Sequence, residues 1–200
     1  MKSSGRLLAI LVPLWSIAIA AGFWGLLKYA ATPGRAAAAT SQWPAAADQH
    51  GVHRGAGITL LMIVHPQCPC SSSSMSNLQQ LLASHPATAC YVLFETSSIL
   101  TPELCRNSSL WKTAAHTPHI TPLVDVAHLG TREFAAKTSG QVLAYDAAGA
   151  LRFRGGITAS RDHDGPCEGQ SALQSLLDGG DANPCETPVY GCALPMEDQP

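Results

Sequence analysis

Two cysteines separated by a single proline, Cys68 and Cys70, follow directly on an apolar run and precede a polar stretch rich in serine. The apolar run, residues 58–64, ends at a turn with a histidine and a proline and is typical of a buried strand. A helix that begins at the cysteines would hold both thiols near unpaired backbone N–H groups and the positive end of the helix, which favour a thiolate. The sequence therefore favours a reactive cysteine pair, for redox chemistry or soft-metal binding, over a structural disulfide at a turn.

The N-terminal residues 7–27 carry no charge and follow Lys2 and Arg6. The stretch is long enough to cross a hydrocarbon core as a helix, whereas a cleaved signal peptide has an apolar region of only about 7–15 residues. We expect residues 1–30 to be an uncleaved signal anchor, with the rest of the chain exported. Cleavage after Ala31 or within residues 36–39 is the alternative.

The amino-acid composition argues against nucleic-acid binding and indicates how the chain is divided into segments. The net charge is −2 with 13% charged residues, so no basic surface for nucleic acid is indicated. Seven cysteines suit an exported chain, and the odd number leaves at least one thiol free, metal-bound or bonded to another molecule. A flexible linker over residues 31–56, a folded domain over residues 57–180 and a cysteine-containing tail over residues 181–200 are expected.

Strand and helix signals alternate through the folded domain. Strands are predicted over residues 58–64, 90–94, 120–126, 141–145 and 150–153, and helices over residues 71–84, 101–115, 131–137 and 168–177. The last two strands are joined by a hairpin turn that ends in Gly149. This order predicts an α/β fold, a mixed sheet flanked by helices.

The cysteine motif within this order of elements resembles the thioredoxin fold with an additional α/β insertion. The segments HPQCPCS (65–71), FAAKTSGQVLAYD (134–146) with RGGIT (154–158), RDH (161–163) and TPVYGC (187–192) are further similar to the RedB-type membrane-anchored bacterial proteins. The resemblance covers residues 57–194. It implies a single-pass protein of the bacterial inner membrane, whose domain meets a protein thiol or disulfide partner in the periplasm or outside the cell.

Two departures from the thioredoxin pattern affect the expected chemistry. Thioredoxins have two residues between their cysteines, where this chain has Pro69 alone. They also carry a cis-proline in the docking loop beside the cysteines, where this chain has Ser139 and Gly140. In the family that proline positions the substrate backbone and obstructs metal access to the cysteines. Its replacement therefore weakens the prediction of a general oxidoreductase and strengthens the prediction of a metal-binding site.

Cys68 and Cys70 are the expected catalytic residues. A position at or just before the N-cap makes Cys68 the nucleophile, with Cys70 as resolving thiol or second metal ligand. His65 has three open roles: a cation that lowers the thiol pKa, a neutral ligand in a Cu(I) site, or a group that caps the turn. Disulfide exchange requires no cofactor, the metal alternative implies copper, and a non-catalytic interaction module is the third possibility.

The remaining cysteines and histidines are assigned by context. Cys90 lies within a strand and is expected to be an inert core residue. Cys167, Cys185 and Cys192 are expected to staple loops, and a Cys185–Cys192 disulfide would close a small loop in the tail. In the alternative, Cys192 folds back onto the cysteine pair as resolving thiol or extra metal ligand. His163, which follows the hairpin, is expected to be solvated, with proton transfer or metal ligation as its functional alternative.

Overall fold

The computed structural model describes residues 2–35, 38 and 40–194, without the side chains of residues 2–7. They form two compact units, divided after Thr32. The first unit is one helix, α1 (Lys2–Ala31). Within this helix, Leu8–Ala31 has a mean hydropathy of 2.0, so its length and composition allow it to cross a membrane. Its most apolar stretch is not buried against the rest of the described chain.

The second unit is built on a five-stranded sheet with the order β3-β2-β1-β4-β5. The strands are β1 (Thr59–Val64), β2 (Ala89–Glu95), β3 (Ile120–Asp125), β4 (Gln141–Tyr145) and β5 (Leu151–Gly155). The first three strands run parallel, whereas β4 is antiparallel to both β1 and β5. The helices are α2 (Ala46–Gln49), α3 (Cys70–Ser84), α4 (Pro102–Asn107), α5 (Ser109–His116), α6 (Leu129–Arg132) and α7 (Glu168–Leu177). A central β1 followed by a helix, with a terminal hairpin and helix, confirms the predicted thioredoxin-like mixed sheet.

The central strand β1 is buried along its whole length because both faces of the sheet are covered. Leu60 and Met62 point into one apolar cluster together with residues of α3 and α7. Leu61 and Ile63 point into the cluster on the opposite face. This two-sided burial explains why the strand reads in the sequence as a continuous apolar run.

The helix predicted over residues 101–115 is two helices, α4 and α5, broken at Ser108. The backbone of Ser108 is extended, with ψ at 151°. Its hydroxyl accepts a hydrogen bond from the N–H of Trp111 at 3.1 Å and so caps α5. A serine that satisfies a free backbone N–H in this way favours a new helix start over continuation of the previous helix.

The helix predicted over residues 131–137 is wrong in its position. The carboxylate of Asp125 accepts hydrogen bonds from the N–H groups of Leu129 and Gly130, at 2.8 and 2.7 Å, so α6 begins there. Ala135 then has a φ of 53°, in the left-handed region that ends helices. A side chain at the end of β3 therefore decides where this short helix begins.

Part of the segment predicted to be a flexible linker, residues 31–56, packs on the sheet. Ala47 and Val52 are completely buried. The ring of Trp43 meets that of Tyr145 edge-on, with centroids 5.4 Å apart. Together with the N–H of Gly34, which donates to the carbonyl of Val189 at 2.7 Å, these contacts make the described residues from 33 onward part of the folded unit and correct the linker prediction.

Candidate functional site

The turn between β1 and α3 holds both motif cysteines. The N–H of Cys68 donates to the carbonyl of His65 at 3.0 Å, which closes the turn. Pro69 is the N-cap residue and Cys70 the first residue of α3, so Cys68 lies just before the cap, as expected. Both cysteines are buried, with 3% and 6% of their surface exposed.

Cys192 of the tail lies against Cys68. Its backbone N–H donates to the Cys68 sulfur at 3.4 Å, and the two thiols also hydrogen-bond to each other. All seven cysteines lie in the described part of the chain and carry free thiols, Cys185 being exposed. The predicted tail staple is therefore not formed, and Cys192 occupies the position foreseen by the alternative reading.

Two hydroxyl groups complete the surroundings of the Cys68 sulfur. Ser71 Oγ and Ser139 Oγ lie 2.7 Å apart, and both side chains hydrogen-bond to Cys68. The hydroxyl of Ser139 also accepts from the backbone N–H of His65 at 2.7 Å. The docking-loop position that holds proline in thioredoxins thus supplies hydrogen bonds to the thiol here, and the role of Ser71 was not foreseen from the sequence.

Gly140 fills the second position of the docking loop with a φ of 88°. Its N–H donates to the carbonyl of Ile63 at 2.8 Å, which joins the loop to the end of β1. A left-handed backbone of this kind favours glycine. The glycine therefore serves the close approach of this loop to the cysteine turn.

The three thiols of the site differ in acidity. Burial acts to raise the pKa of Cys68, but hydrogen bonds from the backbone and thiol of Cys192 and from Ser71 and Ser139 outweigh it, and the net pKa is lowered. Burial, followed by the hydrogen bond and charge of Cys68, raises the pKa of Cys192 to about 12. Burial and the charge of Cys68 also raise the pKa of Cys70. Cys68 is therefore the most acidic of the three thiols, and Cys192 is a hydrogen-bond donor to its sulfur.

The sulfur of Cys70 has a separate set of partners in the loop after β5. It hydrogen-bonds to the Arg161 side chain and to the backbone N–H of Asp162. Arg161 also donates to the carbonyl of Gly191 at 2.6 Å, so one cation joins the helix start to the tail. His163 is exposed, as expected of a solvated loop histidine. The preceding arginine and aspartate, part of the same RDH motif, are the residues that reach the thiols.

His65 acts as a cap of the turn. Its Nδ1 accepts a hydrogen bond from the N–H of Gln67 at 3.3 Å. Burial lowers the pKa of His65, which favours the neutral ring and argues against a cation beside the thiol. Among the described residues, no group of three or more His, Cys, Asp or Glu side chains is arranged to hold a metal ion.

The other cysteines have structural surroundings. Cys90 is buried in β2, and burial raises its pKa to about 12, as expected of an inert core thiol. The sulfur of Cys167 accepts from the N–H of Gln170 at 3.4 Å and caps α7. Cys105 is completely buried, and its thiol points to the carbonyl of Glu95 at 3.8 Å.

A second buried polar cluster lies where β2 and β3 end. Glu95 Oε2 is 3.1 Å from His128 Nδ1, and Glu95 Oε1 has no hydrogen-bond partner in the described part of the chain. Burial and the neighbouring Asp125 raise the pKa of Glu95 to about 7. The sequence signal for this cluster is an acidic residue directly after an apolar run, in two strands that prove to be parallel neighbours.

Comparison with known proteins supports the fold. No protein-family model matches this chain, and no curated protein matches it. An uncharacterised conserved protein from Geobacillus kaustophilus is similar in structure, with a TM-score of 0.59 at 17% identity over 85% of this chain and 95% of that one. A hypothetical protein from Sinorhizobium meliloti aligns with a TM-score of 0.56 at 18% identity, over 81% and 93% of the two chains.

More distant similarity is found with proteins of described activity. A secreted disulfide oxidoreductase from Mycobacterium tuberculosis, homologous to E. coli DsbE, aligns over 62% of this chain and 82% of its own. The identity is 14% and the TM-score 0.42.

Proposed function

We propose that this protein is an exported thiol–disulfide redox protein in which Cys68 alternates between a thiolate and a disulfide. The observation that carries the proposal is the set of hydrogen bonds to the Cys68 sulfur, which lower its pKa in spite of burial. Only the thiolate attacks a disulfide, so a thiol whose pKa is lowered by its hydrogen bonds suits exchange. The resemblance of the cysteine motif and tail to RedB-type proteins supports the same assignment.

The exchange requires a second sulfur as well as a partner disulfide or dithiol. The Cys68 thiolate attacks one sulfur of the partner disulfide, a mixed disulfide forms, and the other partner sulfur leaves and takes up a proton. Cys70 or Cys192 is available within the site to break the mixed disulfide. The direction of net electron transfer follows from the reduction potential of the partner.

The test is thiol trapping of the full-length chain in detergent across a series of glutathione redox buffers. We expect Cys68 to pass from an alkylated to a disulfide-bonded state within the series. Cys90, buried in the core, serves as the internal reference because it should not change. A Cys68 that stays reduced at every potential would rule out the redox function.

Soft-metal binding is the second candidate, since the thiols of Cys68 and Cys192 are in contact and Cys70 lies two residues from Cys68, although no group of three such side chains is arranged to hold a metal ion among the described residues. Thiolates select Cu(I) and similar ions. Anaerobic titration of the reduced full-length chain with Cu(I) should then give one tight equivalent, lost when Cys68 and Cys70 are both replaced by serine. A redox protein without metal function should give no tight stoichiometric binding, and failure of both tests would leave a non-catalytic interaction module.

Helix α1 is proposed to anchor the chain in the bacterial inner membrane, with the folded unit in the periplasm or outside the cell. The length and hydropathy of Leu8–Ala31 support a single span, although a signal sequence has the same properties. Alkaline carbonate extraction of membranes, followed by mass measurement of the protein's N-terminus, distinguishes the two. Retention in the pellet with the N-terminus intact is the expected result, and a shortened, extractable chain would indicate cleavage.

A further inference from the structure

Cys70 is poorly placed to form a disulfide with Cys68, although it is the nearest cysteine in sequence. It is the first residue of α3, and its sulfur is held by Arg161 and Asp162 on the loop after β5. The Cys68 sulfur precedes the helix cap and has other hydrogen-bond partners, namely Cys192, Ser71 and Ser139. Bond formation between Cys68 and Cys70 would therefore require both sulfurs to leave their partners.

Cys192 is held against Cys68 by backbone contacts that do not involve its thiol. Its carbonyl accepts from the N–H of Ser139 at 2.8 Å, and the N–H of Leu194 donates to the carbonyl of Lys137 at 3.0 Å. At Gly191 the tail is so close to this segment that an added Cβ would overlap the Ser139 carbonyl oxygen. The tail thus meets residues 137–139 at an isolated antiparallel bridge between Thr138 and Ala193, and these contacts fix the position of Cys192.

We propose that Cys192 is the resolving thiol and that the oxidised protein contains a Cys68–Cys192 disulfide, which links the tail to the start of α3. The inference rests on the proposed redox function and names its second sulfur. It replaces the sequence-based assignment of Cys70 to this role. Cys70 then remains a thiol in both redox states, bonded to Arg161.

The steps balance without any group beyond a partner disulfide. The Cys68 thiolate attacks the partner disulfide, and the first partner sulfur leaves as a thiolate that takes up a proton from water. Cys192 then loses its proton to water and attacks the Cys68 sulfur, and the second partner sulfur leaves and is protonated in turn. The partner disulfide is reduced to two thiols while Cys68 and Cys192 lose two electrons in total. A partner dithiol reverses the sequence.

The electrostatics of the pair suit the order of these steps. While Cys68 is a thiolate, burial together with its hydrogen bond and negative charge raises the pKa of Cys192 to about 12, so Cys192 stays protonated and supports the nucleophile. Once Cys68 is in a mixed disulfide, its charge is gone and that hydrogen bond no longer favours the protonated form. The positive charge of Arg161, which lowers the pKa of Cys192, remains. Cys192 thus becomes easier to deprotonate at the step that needs it.

The test is a disulfide map of the full-length wild-type chain in detergent, oxidised with glutathione disulfide and alkylated before digestion. Combined cleavage at arginine, lysine and glutamate leaves Cys192 alone on residues 187–197, apart from Cys185, and leaves Cys68, Cys70 and Cys90 together on residues 55–95. Fragmentation between Cys68 and Cys70 and between Cys70 and Cys90 then identifies the bonded one. We expect Cys68 to be joined to Cys192, with Cys70 alkylated.

Cysteine-to-serine variants test the role of Cys192 as resolving thiol independently of the disulfide map. Cys70→Ser should still form the internal disulfide, whereas Cys192→Ser should lose it and retain glutathione on Cys68. Cys185→Ser, which changes an exposed thiol on the same tail, is the matched control and should behave as wild type. A Cys68–Cys70 bond in the wild type, or loss of glutathione from Cys192→Ser, would overturn the role of Cys192 and leave the redox function intact. A Cys68 that never reacts would overturn both.

Discussion

The backbone N–H of Cys192 donates a hydrogen bond to the sulfur of Cys68 at 3.4 Å, although the two residues are 124 positions apart in the chain. A backbone donor survives any change of the Cys192 side chain that leaves the tail in place. The thiol of Cys192 and the hydroxyl of Ser71 are separate, removable donors to the same sulfur. The contributions to the acidity of Cys68 can therefore be measured one at a time.

Cys192→Ala and Ser71→Ala should each raise the pKa of Cys68, because each removes a hydrogen bond that favours the thiolate. The measurement is the alkylation rate of Cys68 as a function of pH, followed by peptide mass. Cys185→Ala and Ser72→Ala alter exposed neighbours of the two residues and should leave the profile unchanged. Profiles that coincide for all four variants would show that the backbone donor and Ser139 suffice.

Gly191→Ala should displace the tail and expose Cys68, because the added methyl group would overlap the carbonyl oxygen of Ser139. Overpacking of this kind costs roughly 1–3 kcal/mol. We expect faster alkylation of Cys68 at fixed pH and less internal disulfide with Cys192. Gly57→Ala is the control, since a Cβ there meets nothing within 4 Å. Unchanged alkylation in Gly191→Ala would mean that the tail does not cover the thiol.

Asn77→Ala should destabilise the protein and loosen the loop that carries Arg161. The buried Asn77 amide donates to the carbonyl of Ile157 at 2.6 Å and exchanges longer hydrogen bonds with Gly165, on either side of that arginine. Carbonyl and N–H groups left unsatisfied by its removal cost about 1–3 kcal/mol each when buried. The free energy of unfolding in urea measures the loss. Gln80→Ala, at an exposed position of the same helix, should cost much less, and equal costs would contradict this role.

Glu95 should make the protein less stable as pH rises from mildly acid to neutral. Its folded-state pKa of about 7 lies above the ordinary 4.5, so the folded protein binds a proton that the unfolded chain has lost over this interval. The free energy of unfolding therefore falls as pH increases through the interval and levels off above pH 7. The raised pKa of Asp125 acts in the same direction.

Glu95→Gln tests this dependence because an amide does not ionise. The midpoint of urea unfolding, measured between about pH 5 and pH 8, should fall less steeply in the variant than in the wild type. Glu103→Gln, a change at an exposed acid outside the cluster, should retain the wild-type slope. A wild-type midpoint that rises over this range would show that another group dominates.

The local elements of the fold were predictable because their signals lie within short stretches of chain. The apolar β1, the proline and cysteines at the start of α3, and the β4–β5 hairpin each depend on neighbouring residues. The predictions failed where a single polar side chain altered the local path. Ser108 divides one expected helix into two, and Asp125 moves the start of another.

The sequence by itself determined the fold class, the apolar N-terminal helix and the position of the cysteine pair at a strand–helix turn, because these follow from periodicity and helix-start chemistry. Only the tertiary structure decided which groups surround those cysteines. Cys192 and Arg161 reach Cys68 and Cys70 from distant parts of the chain, through pairings that no local pattern encodes. Sheet order brings the loop after β5 and the tail to the same end of β1, and that meeting makes Cys192 a partner of Cys68.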